Sequence, residues 1–147
     1  MIDKKRELLK QLVQLESDKP TICIKEPKDA FFPLAKWADK SEEHFLMMTL
    51  DTSYNIIEIH ELTKGLIDRV LIDSRIIFRK AIMDNAHSII LAHNHPAGSL
   101  HPSLEDKKLA ERLNGCSRIL GIAILDHLII SKEGFYSRNY GEVNHVG

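Results

Sequence analysis

The sequence has 147 residues and a mass of 16.8 kDa, which suits one domain with a substantial core. Its 20 basic and 21 acidic residues nearly cancel, which disfavours direct binding to nucleic acid or to an anionic membrane surface. No apolar stretch approaches the roughly 20 residues that cross a bilayer, and the charged start at residues 1–6 is unlike a secretory signal. A cytoplasmic location is therefore expected.

Residues 1–20 are predicted to form an amphipathic helix that ends at Pro20. Its apolar stripe is expected to pack onto the domain, or to pair with a second copy of the chain in a homodimer. A short strand is predicted at 21–24 and a helix at 28–39, where Pro33 should break or displace the first turn. The apolar side chains of this second helix, predicted to lie in the core, are Phe31, Phe32, Leu34 and Trp37.

The next elements are predicted from alternating apolar patterns, helical periodicity and turn residues. Together they give a mixed α/β sheet with flanking helices in a single domain over residues 21–137, followed by a polar tail, 138–147, that is expected to be partly disordered. The predicted elements are strands 44–51 and 55–63 as a hairpin, helix 74–86, strand 88–92, helix 103–114 closed by Asn114 and Gly115, and strands 118–125, 127–131 and 135–136.

The run His93-Asn94-His95-Pro96 leaves the apolar strand 88–92. Histidines at i and i+2 project from the same face of a strand, so one metal ion can be reached by both rings. Ser103 and Asp106 then open a helix, where a carboxylate in the first turn can point back toward the histidines. Two histidines and one aspartate leave a fourth tetrahedral position open for water, which is typical of catalytic zinc. The pattern predicts one Zn²⁺ per chain.

A simpler interpretation also exists for Ser103 and Asp106, because a serine followed three residues later by an acid is typical of a helix capping box. Two other zinc chemistries are excluded. A nucleobase deaminase needs His-x-Glu and Pro-Cys-x-x-Cys, whereas Asn94 and an isolated Cys116 stand here. The helical His-Glu-x-x-His pattern of other metalloproteases is absent. Cys23 and Cys116 are instead predicted to be reduced, buried thiols.

The spacing of His93, His95, Ser103 and Asp106 resembles the JAMM signature of the JAB/MPN metallopeptidases, and the string from Ile89 to Gly98 is similar to the RadC-like branch. The resemblance implies the JAB/MPN fold, with a cytidine-deaminase-like architecture. It also implies hydrolysis of a peptide or isopeptide bond by a zinc-bound water. Ser103 would then hydrogen-bond the oxyanion.

The resemblance further implies a distant glutamate as general base, at the start of the strand 44–51. Glu43 is the predicted residue. Glu42 is the alternative, because a slip of one residue turns a strand side chain to the other face. Glu58 and Glu61, on the next strand, are weaker candidates.

Other histidines have smaller predicted roles: His127 is a candidate to orient a ligand, whereas His44, His60, His87, His101 and His145 are given no ligand role. The chain also departs from RadC-like sequences, because 73–76 reads Asp-Ser-Arg-Ile where the family has His-Pro-Arg-Glu. The alternative function is a non-catalytic, metal-containing binding module in a DNA-repair or mobile-element complex.

Overall fold

The computed structural model describes residues 2–17, 21–65 and 72–144, in which four helices flank six strands. The predicted α/β class with a mixed sheet is confirmed. The elements are α1 (Ile2–Ser17), α2 (Pro27–Leu34) continued by a 3₁₀ turn (Ala35–Trp37), β1 (Glu43–Leu50), β2 (Ile56–Gly65), α3 (Ser74–Met83), β3 (Ser88–Asn94), α4 (Leu104–Leu120), β4 (Ala123–Ser131), β5 (Gly134–Ser137) and β6 (Gly141–Asn144).

The six strands form one sheet in the order β2-β1-β3-β4-β5-β6. Strand β3 runs antiparallel to β1 and parallel to β4, and the other neighbours are antiparallel. A parallel pair needs a crossover connection, and α4 supplies it between β3 and β4. The central strand β3 is buried along its whole length, so its last residues leave the core directly into the loop before α4.

The sheet is covered on both faces, and alternate residues of each central strand face opposite cores. On β3, Ile90 and Ala92 pack in the core that α2 covers, while Ile89 and Leu91 pack in the core that α3 and α4 cover. This alternation continues to the end of the strand. It therefore places His93 on the face of α4, where the second core ends.

The amphipathic stripe on α1 does not pack onto the domain as predicted. Every side chain of α1 from Ile2 to Leu15 is exposed, and the stripe residues Leu8, Leu12 and Val13 are 58–67% exposed. Pairing with a second copy remains a prediction. Residues 18–20, the predicted end of the helix, lie outside the described residues, within which no helix is both long and apolar enough to span a bilayer.

The second helix is shorter than predicted. It ends at Leu34, one residue after Pro33, and continues as a 3₁₀ turn to Trp37. Phe31 and Leu34 are buried as predicted, but Phe32 is 53% exposed, since it lies on the outer face of the helix. The strand predicted at 21–24 is reduced to an isolated bridge between Cys23 and Asn55.

Helix α4 extends beyond its predicted end at Asn114 and Gly115. The helix ends at Leu120 instead, where Gly121 adopts the left-handed conformation with φ of 71° and its N–H donates to Ser117 O at 2.9 Å. An interior glycine costs a helix about 1 kcal/mol relative to alanine. Burial of Leu113, together with the hydrogen bond from Ser117 Oγ to Ile122 O at 2.6 Å, offsets this cost.

The two strands predicted at 118–125 and 127–131 form a single strand, β4. Residues 118–120, at the start of the first predicted strand, belong to α4 instead. The pairing with β3 shifts between Ile89, opposite Ile124, and Ile90, opposite Asp126, which leaves Leu125 as a bulge. Asp126, which the two predicted strands leave out, and His127 are both buried in β4.

The two cysteines and the carboxyl-terminal segment also differ from the prediction. Both cysteines are free, but Cys23 is exposed and Cys116 is half-buried, so their predicted burial is wrong. In the predicted tail, Gly141–Asn144 pairs with β5 as an additional edge strand. Residues 145–147 lie outside the described residues.

Candidate metal centre

His93 and His95 approach each other at the end of β3. The His93 side chain is 1% exposed and that of His95 is 17% exposed, and their Nε2 atoms lie 2.9 Å apart. The loop after β3 holds His95 from behind, because its Nδ1 lies 2.9 Å from Ser99 O. Gly98, with φ of 85°, makes the turn that brings Ser99 back. Both Nε2 atoms are therefore directed to one point.

Helix α4 delivers the carboxylate. Ser103 and Asp106 form a complete capping box, in which Ser103 Oγ accepts from Asp106 N at 3.0 Å and Asp106 Oδ2 accepts from Ser103 N at 2.9 Å. The capping interpretation is thus correct as local structure. It does not compete with the metal interpretation, because the cap orients the Asp106 carboxylate toward both histidines.

The separations suit a zinc ion. Asp106 Oδ1 lies 3.4 Å from His93 Nε2, and Oδ2 lies 3.3 Å from His95 Nε2. Ligands placed tetrahedrally at about 2.0–2.1 Å from zinc are separated by about 3.3 Å. The imidazole–carboxylate distances meet this value, while the two Nε2 atoms are closer by roughly 0.4 Å and must part slightly. Two imidazoles and a carboxylate are also an ordinary donor set for zinc.

The electrostatics of the cluster favour a charged carboxylate. Burial alone would raise the pKa of Asp106, but hydrogen bonds from His93 and His95 outweigh it and hold the pKa well below its usual range. For His95, burial opposes the charged ring, yet Asp106, Ser99 and Glu43 raise its pKa overall. The cluster therefore presents a buried negative charge toward two ring nitrogens, which is an environment that stabilises a cation.

Glu43 is the fourth member of the cluster. It is the first residue of β1, it is half-buried, and a ligand atom from each of Glu43, His93 and His95 lies within 4.8 Å of the other two. Asp106 lies closer to both rings than this limit. The two acids therefore approach the same pair of histidines from different elements, β1 and α4.

The other candidate acids lie elsewhere. The Glu42 side chain is 54% exposed and its carboxylate is 3.9 Å from Lys64 Nζ. Glu58 is exposed and accepts from the N–H of Ile59, while Glu61 pairs with His44 at 2.6 Å. The structure thus brings Glu43, rather than its three competitors, to the histidines.

His127 stands behind His93. Its Nε2 lies 3.1 Å from His93 Nδ1, and the ring is nearly perpendicular to that of His93. Neighbouring Asp126 anchors this part of β4, since its carboxylate accepts from Ser137 Oγ and from the N–H of His127 and of Asn139. His127 therefore occupies the position from which a buried residue orients a metal-binding imidazole.

A cavity of 330 Å³ adjoins the cluster on the α4 side. His93, Asp106 and His127 form its inner wall, and Lys107 and Arg138 lie at its polar border. A cavity of this size is at the lower end of the range for small-molecule pockets. It provides room beside His93 for a group of the size of one amino-acid side chain.

Sequence reasoning missed two features, one beside the cluster and one in the neighbouring strands. Asn94, between the two histidines, is fully buried and bonds to the backbone around Glu43, although the pattern gave it no role. His44 and His60 were also interpreted as ordinary polar residues, yet each lies 2.6 Å from a carboxylate. These contacts could be predicted only from the register of the strands, which is difficult to infer from a single sequence.

Known proteins resemble this chain over most of its length. The family model of the RadC-like JAB domain matches residues 24–142. Similar proteins, each named UPF0758 protein, occur in Thermotoga maritima (45% identical over 98 residues, 66% of this chain and 44% of that protein), in Methanospirillum hungatei (40% over 119 residues, 79% and 52%) and in Clostridium perfringens (37% over 133 residues, 90% and 56%).

The chain spans about half the length of these relatives, and their name states no activity. The family match nevertheless covers β1 to β5 and every residue of the cluster described above. The chain therefore belongs to the RadC-like JAB domain family.

Proposed function

We propose that this protein is a zinc-dependent hydrolase that cleaves a peptide or isopeptide bond. The observation that carries the proposal is that two acids, Glu43 from β1 and Asp106 from α4, approach the same two histidines, His93 and His95, at the end of β3. His93, His95 and Asp106 would hold the ion, since Asp106 is the more buried of the two acids and lies 3.3–3.4 Å from both ring nitrogens. Bound zinc would polarise a carbonyl and lower the pKa of a coordinated water.

The acid and base chemistry falls to Glu43. Glu43 is half-buried at the start of β1. Its carboxylate therefore retains contact with solvent and can exchange protons. It would take a proton from the attacking water and return that proton to the leaving amine, which is the double role of a general base and acid.

Ser103 can cap α4 and assist the reaction at once. Its Oγ accepts from Asp106 N, and a hydroxyl that accepts one hydrogen bond still has its own proton to donate. The residue is exposed at the start of α4, on the same helix end as Asp106. Its hydroxyl would donate to the oxyanion that forms at the scissile carbonyl.

The substrate would be a protein or peptide, encountered in the cytoplasm. The near balance of 20 basic and 21 acidic residues offers little attraction for nucleic acid. Two free cysteines are typical of a reducing compartment.

The first test replaces Glu43. Glu43→Gln keeps the shape and removes the base, so zinc content should remain near that of the wild type while kcat on a panel of peptide and isopeptide substrates falls by about 10²–10⁴-fold. Glu58→Gln, on the exposed face of β2, is the matched control and should retain activity.

Three outcomes contradict the proposal. Full activity in Glu43→Gln, together with loss of activity in Glu42→Gln, would show that Glu42 rather than Glu43 is the general base. Absence of zinc from the purified protein, even after reconstitution, would show that the site does not bind zinc. Full zinc occupancy in a wild-type protein with no turnover on any substrate would favour the non-catalytic binding module.

A further inference from the structure

Asn94 lies between the two histidines of the cluster and faces away from it. Its side chain is fully buried, and both ends of its amide bond to the segment that enters β1. Oδ1 accepts from His44 N at 2.6 Å. Nδ2 donates to Glu42 O at 2.9 Å and lies 3.4 Å from Lys40 O. One side chain thus satisfies the peptide groups immediately before and after Glu43.

The backbone ladder does not reach this point. The last residues of β1 and β3 that pair are Phe45 and His93. Glu43 pairs instead with Gly65 on the other side, in β2. The Asn94 amide continues the β1–β3 contact by one further step, so it connects the backbone at Glu43 to the strand that carries the histidines.

We propose that Asn94 is a positioning residue that fixes the Glu43 carboxylate relative to His93 and His95. The proposal rests on the general-base role proposed for Glu43. Since Glu43 is fifty residues before His93 in sequence, its distance from the ion site depends on tertiary contacts. A shift of about 1 Å in a catalytic group can lower a rate by about 100-fold.

The chemistry of the contact requires an amide. The N–H of His44 needs an acceptor and the carbonyl of Glu42 needs a donor, and a short side chain must present both. A carboxylate supplies only acceptors, and a hydroxyl is too short to span both groups. Asn94→Asp therefore removes one bond and keeps the other, whereas Asn94→Ala removes both.

Amide hydrogen exchange tests the contact without any turnover. In Asn94→Ala, exchange at His44 N–H should accelerate about 10-fold, as expected for loss of one buried hydrogen bond. In Asn94→Asp, the same amide should exchange near the wild-type rate, because its acceptor remains. Equal, wild-type protection in both variants would overturn the proposed contact.

Crystal structures of the same variants, loaded with zinc, test the positioning. We expect zinc at the wild-type site and a Glu43 carboxylate displaced by about 1 Å or more in Asn94→Ala. A Glu43 carboxylate at its wild-type position would overturn the proposal. If Asn94→Ala does not fold, the uncharged Asn94→Ser variant, whose hydroxyl is too short to reach both backbone groups, serves the same measurement.

Kinetics connect the geometry to the reaction. Asn94→Ala should lower kcat by about 100-fold with KM nearly unchanged, because Glu43 acts in the chemical step. Combined with Glu43→Gln, it should cause little further loss, whereas a general structural defect would add to it. Additive losses would overturn the proposal. A wild type without turnover would refute the proposed function, while exchange and the Glu43 position would still decide the role of Asn94.

Discussion

Among the described residues, histidine meets carboxylate in two regions: where β3 joins α4, and beside the edge strand β2, which we call the outer region. In the outer region, each ring has its own partner, His60 with Asp84 and His44 with Glu61, both at 2.6 Å. At β3 and α4, two rings share one carboxylate, and their Nε2 atoms lie 2.9 Å apart. In the outer pairs each ring contacts one carboxylate, whereas His93, His95 and Asp106 converge within 3.4 Å of one another, an arrangement that could hold a shared cation.

Burial separates the two regions as well. The Asp106 and His93 side chains are 4% and 1% exposed, those of Asp84 and His60 are each 19% exposed, and Glu61 is 39% exposed. Burying a charge is costly unless it is compensated. The proposed metal centre should therefore respond most strongly to substitution, and the outer pairs progressively less.

The largest expected effect is loss of the metal in Asp106→Asn. The amide still accepts from Ser103 N and so preserves the cap, but it removes the negative charge between His93 and His95. Zinc content, measured by atomic emission after purification, should fall to a small fraction of an equivalent. Asp84→Asn, the matched change in the outer region, should retain full zinc content. Zinc retained in Asp106→Asn would assign the third ligand to Glu43.

The next effect concerns the support of His93. His127→Phe fills the same space without a ring nitrogen opposite His93 Nδ1. Zinc affinity, measured by chelator competition, should decrease about 10–100-fold, as is common when a group that orients a metal-binding histidine is lost. His60→Phe should leave the affinity unchanged. An unaltered zinc affinity in His127→Phe would show that His127 contributes only packing against His93.

The pair of Asp84 and His60 should affect stability alone. Asp84 Oδ2 also accepts from Thr49 Oγ1 at 2.8 Å, so this carboxylate connects β1, β2 and the end of α3. Asp84→Ala should lower the free energy of unfolding by about 1–3 kcal/mol, measured with urea on the zinc-loaded protein. Zinc affinity should not change, and a parallel loss of zinc would mean that the two regions are coupled.

The smallest effect is expected at Glu61. Its carboxylate is partly exposed, so water compensates for much of its interaction with His44. Glu61→Gln should reduce the free energy of unfolding by less than about 1 kcal/mol. A larger loss in urea unfolding would show that burial of His44 makes this pair comparable to that of Asp84.

The sequence alone predicted the parts of the centre that depend on local geometry. His93 and His95 follow from strand alternation, and Asp106 follows from the first turn of a helix, so each is set by neighbours within thirteen residues. Glu43 was one of four candidates, because its approach depends on the register of β1 against β3. Asn94 had no assigned role for the same reason.

The errors in the predicted secondary structure have equally specific causes. Asn114 and Gly115 resemble a helix end, yet burial of Leu113 and Ser117 carries α4 onward to Gly121. The predicted strands 118–125 and 127–131 leave out Asp126, but hydrogen bonds from Ser137 and Asn139 to its carboxylate allow it to be buried within the single strand β4. In both cases tertiary contacts outweighed local preference.

The two oxygens of Asp106 divide their contacts. Oδ2 accepts from Ser103 N and lies near His95, while Oδ1 faces His93. Initiation of α4 and affinity for the ion are therefore thermodynamically linked, since each requires the same orientation of one side chain. In the proposed site, a change that frays the first turn of this helix lowers ion affinity by the fraction of molecules in which the turn remains ordered, and saturating the site with the ion protects that turn from fraying.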